Sequence, residues 1–503
     1  MAASIAQTVS APAAVAAHAV SRPVRVVYGV GSIAYGAAAQ GLTSMLLLFY
    51  SQVVGLPAPA VGVALMVALV LDAIFDPLLG QWSDNVRSRW GRRHPFMYAS
   101  AVPLALAFYA LWNPPRDWSG GALFAYLLTM LIAVRLLTSL YEIPSSALAP
   151  ELAPDYDRRT GLLSYRYFFT LVGTTAMSVL AYQVFLRKDA GHPLGLFNRA
   201  GYGHYGLAAG LVIAASILIS TLGTHGQIPR LSQPARRAFS FTAMLRQFAA
   251  VLSNRSFVSL MTAGMIYGVV TGVQQGLRIY IYSFFWGLPP NQLAYLAWMG
   301  LLASIFGVSV APALARRMGK KRAMIAIFCL ALFSSVIPLC LRLVGLMPAN
   351  HTPALLAVLL LDALVTDTLG IIGFIIFASM VGDIAEDNAV KTGERSEGLL
   401  FAANGLLRKC VSGLGIFLSS LLLAVVGFPR HADVGQVDPA VLHRLILVYL
   451  PVTAGLSVFS IVSLTLYRID RAAHQRNLER LRAAAALGDQ VAGEAYAGVE
   501  PIA

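Results

Sequence analysis

Long apolar runs with few charges alternate with short polar stretches along nearly the whole chain. About 20 apolar residues in a helix cross a bilayer, and twelve runs reach that length. In lipid only a helix or a closed barrel satisfies the backbone internally, and these runs are too long for barrel strands. The pattern therefore predicts an all-α membrane protein with twelve transmembrane helices. Their approximate spans are residues 26–50, 59–82, 96–113, 121–147, 161–186, 205–224, 256–286, 291–315, 323–346, 353–382, 397–427 and 441–467.

Composition agrees with lipid as the solvent. Of the 503 residues, 57% are hydrophobic and only 12% are charged, whereas soluble domains carry about 25% charged residues. The net charge of +14 could indicate nucleic acid, but basic loops that set membrane topology are the simpler explanation, so no nucleic-acid partner is expected. Cys329, Cys340 and Cys410 all lie in apolar runs, which predicts buried thiols and no disulfide framework or metal site.

Basic residues concentrate in the loops that follow even-numbered segments. The positive-inside rule then places these loops and both termini on the cytoplasmic side, and we expect a bacterial inner (plasma) membrane. The C-terminal tail is either an amphipathic helix on the inner leaflet or a solvated segment. The predicted domains are a disordered cytoplasmic tail (1–25), a six-helix bundle (26–224), a central cytoplasmic loop (225–255), a second six-helix bundle (256–468) and a cytoplasmic tail (469–503).

Two basic turns recur at the same point of each half. SRWGRRHP (88–95) follows the second segment, and ARRMGKKRAM (315–324) follows the eighth. Two six-helix halves with related loops are typical of the major facilitator superfamily. The sequence therefore predicts the major facilitator fold.

Two aspartates lie within the second segment, where charges are rare and usually functional. Asp72 and Asp76 are four residues apart, so their carboxylates share one helix face. Two close carboxylates in a low dielectric cannot both stay charged without a cation. The pair predicts a site for H⁺, Na⁺ or Li⁺. The alternative is a structural pair bonded to a neighbouring helix.

Further charges lie within the predicted spans, and three of them have candidate roles. Glu142 and Arg166, in the fourth and fifth segments, either neutralise each other or together bind a polyhydroxylated ligand. Lys409 in the eleventh segment needs a partner. The aspartates of the second segment are candidates, and so are Asp362 and Asp367 of its own half.

Charged residues also cluster in the loop after the second segment. They predict either a network that latches the two halves in one state or simply the positive-inside signal. Its predicted members in this loop are Asp84, Arg87, Arg89, Arg92 and Arg93.

Two blocks of sequence carry a resemblance to a known family. DAIFDPLLGQWSDNVRSRWGRRHP (72–95) resembles the helix 2 signature of the glycoside–pentoside–hexuronide:cation symporters, a branch of the major facilitator superfamily. MVGDIAEDNAVKTGERSEGLLFAANGLLRKCVSGLG (380–415) resembles the helix 10–11 loop of this same melibiose permease-like family. The resemblance covers about 28–474. It implies inward- and outward-open states and uptake of a sugar-like solute coupled to Na⁺, Li⁺ or H⁺.

The resemblance also implies roles for individual residues. Asp72, Asp76 and Ser139 correspond to the cation site, and Asp383 joins the conformational network. Four residues correspond to solute-binding positions: Glu142, Arg166, Lys409 and Phe374.

Departures from the family pattern narrow this interpretation. Phe75 replaces an asparagine of the cation site, which favours H⁺ over Na⁺. Gly36 and Ser146 replace a sugar-binding acid and a tryptophan, so a simple galactoside is not expected. We expect a monomeric symporter of a glycoside, pentoside or sugar acid, with no cofactor beyond the coupling ion.

Two other functions compete with this one. A lysolipid symporter would share the fold and the motifs of the second segment. A membrane enzyme or sensor is disfavoured, because the chain shows no nucleophile–base pair, no H-E-x-x-H helix and no phosphate-binding glycine loop.

Overall fold

The computed structural model describes most of the predicted spans but little of the predicted tails. The described residues are 21–153, 156–187, 195–231, 255–392, 397–432 and 436–467, together with 475, 476 and 479. Most of the tails and of the central loop therefore lies outside the described residues, and the domain boundaries stay predictions.

Within the described residues, twelve helices are long and apolar enough to cross a membrane, and the all-α prediction is confirmed. The helical structure of the tenth continues to Thr392, and that of the eleventh begins at Glu397. In chain order the spans are α1 (Arg22–Val53), α2 (Ala58–Asn85), α3 (His94–Leu111), α4 (Gly120–Leu152), α5 (Arg158–Phe185), α6 (Arg199–His225), α7 (Phe257–Phe285), α8 (Pro290–Met318), α9 (Lys320–Leu343), α10 (Pro353–Ile384), α11 (Leu407–Val425) and α12 (Pro439–Thr465).

Helix α4 is longer than its apolar pattern predicts. It continues past residue 147 to Leu152, through Pro144 and Pro150. Helices in membranes tolerate proline because neighbouring groups can satisfy the freed backbone carbonyls. The extension places Glu151 on the end of a helix, beside the arginine-rich loop after α2.

A second internal repeat supports the division into two halves. YSQVVGLP (50–57) ends α1 and YSFFWGLP (282–289) ends α7. Each helix closes in a π-helical turn, followed by a glycine with positive φ, 92° at Gly55 and 68° at Gly287, a region that glycine enters readily. In both copies the leucine N–H then donates to the tyrosine carbonyl at 2.9 Å.

The hydrophobic core is distributed unevenly between the two ends of the bundle. We call the end that holds the loops after α1, α3, α5, α7, α9 and α11 the odd-loop end, and the opposite one the even-loop end. One buried cluster contains both Phe49 of α1 and Phe284 of α7, near the odd-loop end. Toward the even-loop end, separate clusters form around Phe257 in the second half and Tyr28 in the first. The halves therefore share a core at the odd-loop end only, as far as the described residues go.

Small residues allow helices to approach closely, as is common in membranes. A Cβ added at Gly36 of α1 would lie 2.2 Å from the backbone oxygen of Thr170 on α5. An acid cannot be accommodated at position 36 without separating these helices.

Candidate ion-coupling and solute site

Helices α2, α4 and α11 bring four of the predicted site residues together. The hydroxyl of Ser139 lies 2.7 Å from Asp72 Oδ1 and 2.7 Å from Asp76 Oδ1. Since a hydroxyl has one proton, it donates to one carboxylate at a time. Lys409 Nζ donates to Asp72 Oδ2 at 2.8 Å and also contacts Asp76. Lys409 thus bonds to the second-segment aspartates and not to Asp362 or Asp367.

This cluster joins the two halves electrostatically. Asp72 is buried, and the Lys409 and Asp76 side chains are about 30% exposed (30% and 27%). Two ionised carboxylates and one ammonium together carry a net charge of −1. A partly buried site favours binding of a cation that compensates this charge. Asp72, Asp76 and Ser139 supply the oxygens that could hold Na⁺, and either carboxyl could take a proton. The predicted solute contact of Lys409 stays a prediction.

Glu142 and Arg166 form an ion pair between α4 and α5. Arg166 Nη1 also donates to Ser145 Oγ at 2.6 Å, and the Tyr28 hydroxyl donates to the Ser145 carbonyl at 2.8 Å. Arg166 is buried. The pair therefore neutralises its own charges inside the first half, which was one of the two alternatives for these residues.

A cavity of about 840 Å³ lies between the halves. It is bounded by α1 and α5 of the first half and by α7 to α12 of the second. Phe374, one of the predicted solute residues, lines the wall of this cavity. The guanidinium of Arg408 lies over the Phe374 ring, 5.4 Å from its centroid. Glu142, Arg166 and Lys409 are not among the described residues that form the wall. Polar wall residues include Gln40, Ser44, Gln274, Gln275, Asp362 and Asp367.

The second half contributes an ion pair to this cavity. Arg278 Nη2 on α7 donates to Asp367 Oδ2 on α10 at 3.3 Å, and both side chains line the wall. Asp362 accepts a hydrogen bond from Ser334 at 3.2 Å. None of these charges belongs to the solute residues predicted from the sequence. Their location within apolar segments was the available signal.

A charged network lies at the even-loop end of the first half. Arg93 Nη2 lies 2.6 Å from Glu151 and 3.4 Å from Asp84, and Arg92 contacts the same two acids. Burial lowers the pKa of the Arg93 guanidinium, while the Glu151 carboxylate acts in the opposite direction. These contacts join the α2–α3 loop to α4 within one half. Glu151 was not predicted, because its helix was expected to end earlier.

Three other residues, Arg87, Arg89 and Asp383, were also predicted to belong to this network. Arg87 and Arg89 are exposed, and Arg89 lies over the Trp90 ring at 5.4 Å to the centroid. Asp383 on α10 bonds Lys320 at the start of α9 at 2.5 Å. This contact in the second half involves the basic turn that repeats the arginine-rich turn of the first.

The halves also meet at the odd-loop end through hydrogen bonds. The hydroxyls of Ser51 and Tyr280 lie 2.5 Å apart. The backbone N–H of Ala432 donates to Gln52 Oε1 at 3.0 Å. Both contacts link α1 to the second half.

Comparison with known proteins agrees with this architecture. The model of a family described as MFS/sugar transport protein matches residues 27–471. The chain is 24% identical to the isoprimeverose transporter of Lactiplantibacillus pentosus over 86% of this chain and 85% of that protein. It is 24% identical to the putative glycoside/cation symporter YagG of Escherichia coli (strain K12) over 91% of this chain and 95% of that protein.

Solved structures of transporters share the fold. A point mutant of the nucleoside transporter NupG superposes with a TM-score of 0.61 at 16% identity, covering 89% of this chain and 99% of that chain. At this identity the likeness concerns the fold alone.

Proposed function

The chain belongs to the MFS/sugar transport protein family, and we propose that it is a symporter that couples a cation to a sugar-like solute. It is an integral membrane protein and a transporter, not an enzyme. One observation carries the coupling proposal: Asp72 and Asp76 of the first half share Lys409 of the second. The similarity to glycoside transporters favours a sugar-like solute over a lysolipid.

The cation step follows from competition at this cluster. Lys409 compensates the two carboxylates and so ties α11 to α2. A proton or Na⁺ that binds Asp72 and Asp76 supplies part of the same positive charge and weakens that tie. Because the cation changes the relative free energies of two arrangements of the halves, it shifts their populations. Phe75, which offers no ligand oxygen, favours H⁺.

The solute step takes place in the cavity between the halves. In alternating access one half rocks against the other around a central binding site. The contacts of Ser51 and Gln52 at the odd-loop end would break, and the separate cores at the even-loop end would approach each other. The solute and the cation would then cross together.

The concentration of arginine and lysine in the even loops supports a cytoplasmic even-loop end. Both termini would then be cytoplasmic, and the membrane would be a bacterial inner membrane. The halves share their core at the odd-loop end, so this arrangement would correspond to an inward-facing state. A monomer contains the whole cavity and the whole charge cluster.

Asp76→Asn tests the coupling directly. The substitution removes one of the two carboxylates, so we expect it to abolish accumulation of isoprimeverose against its gradient in membrane vesicles. The measurement is uptake of labelled isoprimeverose, driven by an imposed H⁺ gradient and, separately, by an imposed Na⁺ gradient.

Asp117→Asn is the matched control, because Asp117 is an exposed loop acid and this variant should accumulate the sugar normally. Accumulation by Asp76→Asn at the wild-type level would remove Asp76 from the coupling site.

A further inference from the structure

The Arg278–Asp367 pair faces the cavity and is not enclosed by protein. The two side chains are 39% and 26% exposed, and both line the wall. Ionisable residues within membrane spans face water-filled pathways or partners and usually mark the path of a substrate. A guanidinium carries five N–H donors in a planar fork, and the bond to Asp367 uses one of them.

The neighbours of Arg278 form one stripe along α7. Gln274, Arg278 and Tyr282 are spaced four residues apart, so they lie on one helix face, and all three line the cavity. Arg278 lies over the Tyr282 ring, 5.9 Å from its centroid. The stripe therefore combines amide and guanidinium donors with an aromatic surface, beside the carboxylate of Asp367.

The charges of Arg278 and Asp367 on the cavity wall are paired with each other, which favours a neutral solute over a charged one. Asp367 already compensates Arg278, so a solute carboxylate would have to compete with a carboxylate that is held in place. A neutral polyhydroxylated ring can donate to Asp367 and accept from Arg278 without leaving either charge unpaired. Among the described residues of the wall, the two other charged side chains, Asp362 and Arg408, are also of opposite sign.

We infer that Arg278 and Asp367 form a solute subsite in the second half that binds a neutral polyhydroxylated ring and discriminates against sugar acids. The inference rests on the proposed transport of a sugar-like solute and narrows its class. The subsite is distinct from Glu142 and Arg166, which pair with each other away from the described wall. The cavity volume, about 840 Å³, lies at the upper part of the usual range for ligand pockets, which suits a solute larger than one ring.

A charge change at position 367 tests the inference with two matched probes. Phenyl β-D-glucopyranoside and phenyl β-D-glucuronide differ only at the exocyclic carbon C6, which is a hydroxymethyl group in the first and a carboxylate in the second. Affinity is measured from the rise in melting temperature of the full-length protein in detergent over a ligand series, with isoprimeverose and lactose as further neutral probes. We expect the wild type to bind the neutral glycosides and to bind the glucuronide at least tenfold more weakly.

Asp367→Asn should reverse this preference. It frees the Arg278 charge for the glucuronide, so we expect glucuronide affinity to rise about tenfold and neutral-glycoside affinity to fall about tenfold, the scale of one charged hydrogen bond. Asp117→Asn, in an exposed loop, should keep the wild-type preference.

The double variant Arg278→Gln with Asp367→Asn removes both charges and keeps the test decisive if the single variant does not fold. It should lose neutral-glycoside affinity about tenfold without gaining glucuronide affinity. An unchanged preference in Asp367→Asn, or in the double variant, would overturn the subsite and leave the proposed function intact. Failure of every sugar to stabilise the wild type would overturn the proposed function together with the subsite.

Discussion

At the scale of single residues, spacing determines which side chains share a face, but the fold selects their partners. Asp72 and Asp76 share a face of α2 because they are four residues apart. Their contacts with Ser139 on α4 and Lys409 on α11 depend on how three helices pack. Ser139 is the one neutral member of this cluster, so its hydroxyl can be removed without changing the charge.

Ser139→Ala should weaken cation binding. The hydroxyl lies 2.7 Å from a carboxylate oxygen of each aspartate, and a hydrogen bond to a charged group contributes about 1.5–3 kcal/mol. We expect the concentration of the driving cation at half-maximal uptake to rise about tenfold or more, while maximal binding of the solute is kept.

Thr138→Ala is the matched control for this measurement. The Thr138 hydroxyl donates to Val134 O of its own helix at 2.7 Å, so its loss should leave the cation response unchanged. Equal responses in Ser139→Ala and Thr138→Ala would place the hydroxyl of Ser139 outside the cation site.

At the scale of helices, close approach depends on small residues at particular positions. Helices α1 and α5 of the first half approach closely at Gly36, and the Thr174 hydroxyl there donates to the Gly36 carbonyl at 3.2 Å. In the family pattern, Gly36 takes the place of a sugar-binding acid. The structure gives a packing reason, because this position has no room for a side chain.

Gly36→Ala should therefore destabilise the protein, although alanine favours helix over glycine by about 1 kcal/mol. The new Cβ would lie 2.2 Å from the backbone oxygen of Thr170, and overpacking of this kind costs about 1–3 kcal/mol. The measurement is the melting temperature of the purified protein in detergent, which we expect to fall.

Gly455→Ala on α12 provides the comparison, because a Cβ there would meet no atom within 4 Å. That variant should keep or raise the melting temperature. A melting temperature for Gly36→Ala at or above the wild-type value would show that α1 and α5 separate without cost.

At the scale of the whole molecule, the two halves are held together asymmetrically. They share a core near the odd-loop end, where Ser51 and Tyr280 are hydrogen-bonded, and they have separate cores near the even-loop end. Opening of the odd-loop end must break these contacts, so their strength contributes to the equilibrium between access states.

Tyr280→Phe should shift this equilibrium toward an open odd-loop end. Losing one hydrogen bond of about 0.5–1.5 kcal/mol changes a two-state population ratio by about two- to tenfold. Spin labels at the exposed loop positions Asp117 and Leu346, in a chain without its native cysteines, would report the change. We expect double electron–electron resonance to show a larger fraction of long distances between the two labels.

Tyr50→Phe controls for loss of a buried tyrosine hydroxyl. Tyr50 donates to Leu111 O at 2.7 Å within the first half, so this variant should not alter the distance between the halves. The same distance distribution in Tyr280→Phe and wild type would exclude the Ser51–Tyr280 contact as a determinant of access.

The sequence by itself determined the helices and the candidate charges. Twelve apolar runs specify twelve spanning helices because lipid leaves the backbone few other solutions, and buried charges are rare enough to be noticed individually. Helix α4 continues beyond the approximate end of its predicted span, since prolines that break soluble helices are tolerated in membranes, and Glu151 lies in this extension.

The tertiary structure alone decided which charges meet and which line the cavity. Lys409 could pair with acids in either half, and packing of α11 against α2 selected Asp72 and Asp76. Arg278 and Asp367 come together from helices α7 and α10, which local periodicity cannot relate. Periodicity describes one helix at a time, whereas contacts between helices depend on how their faces pack in three dimensions.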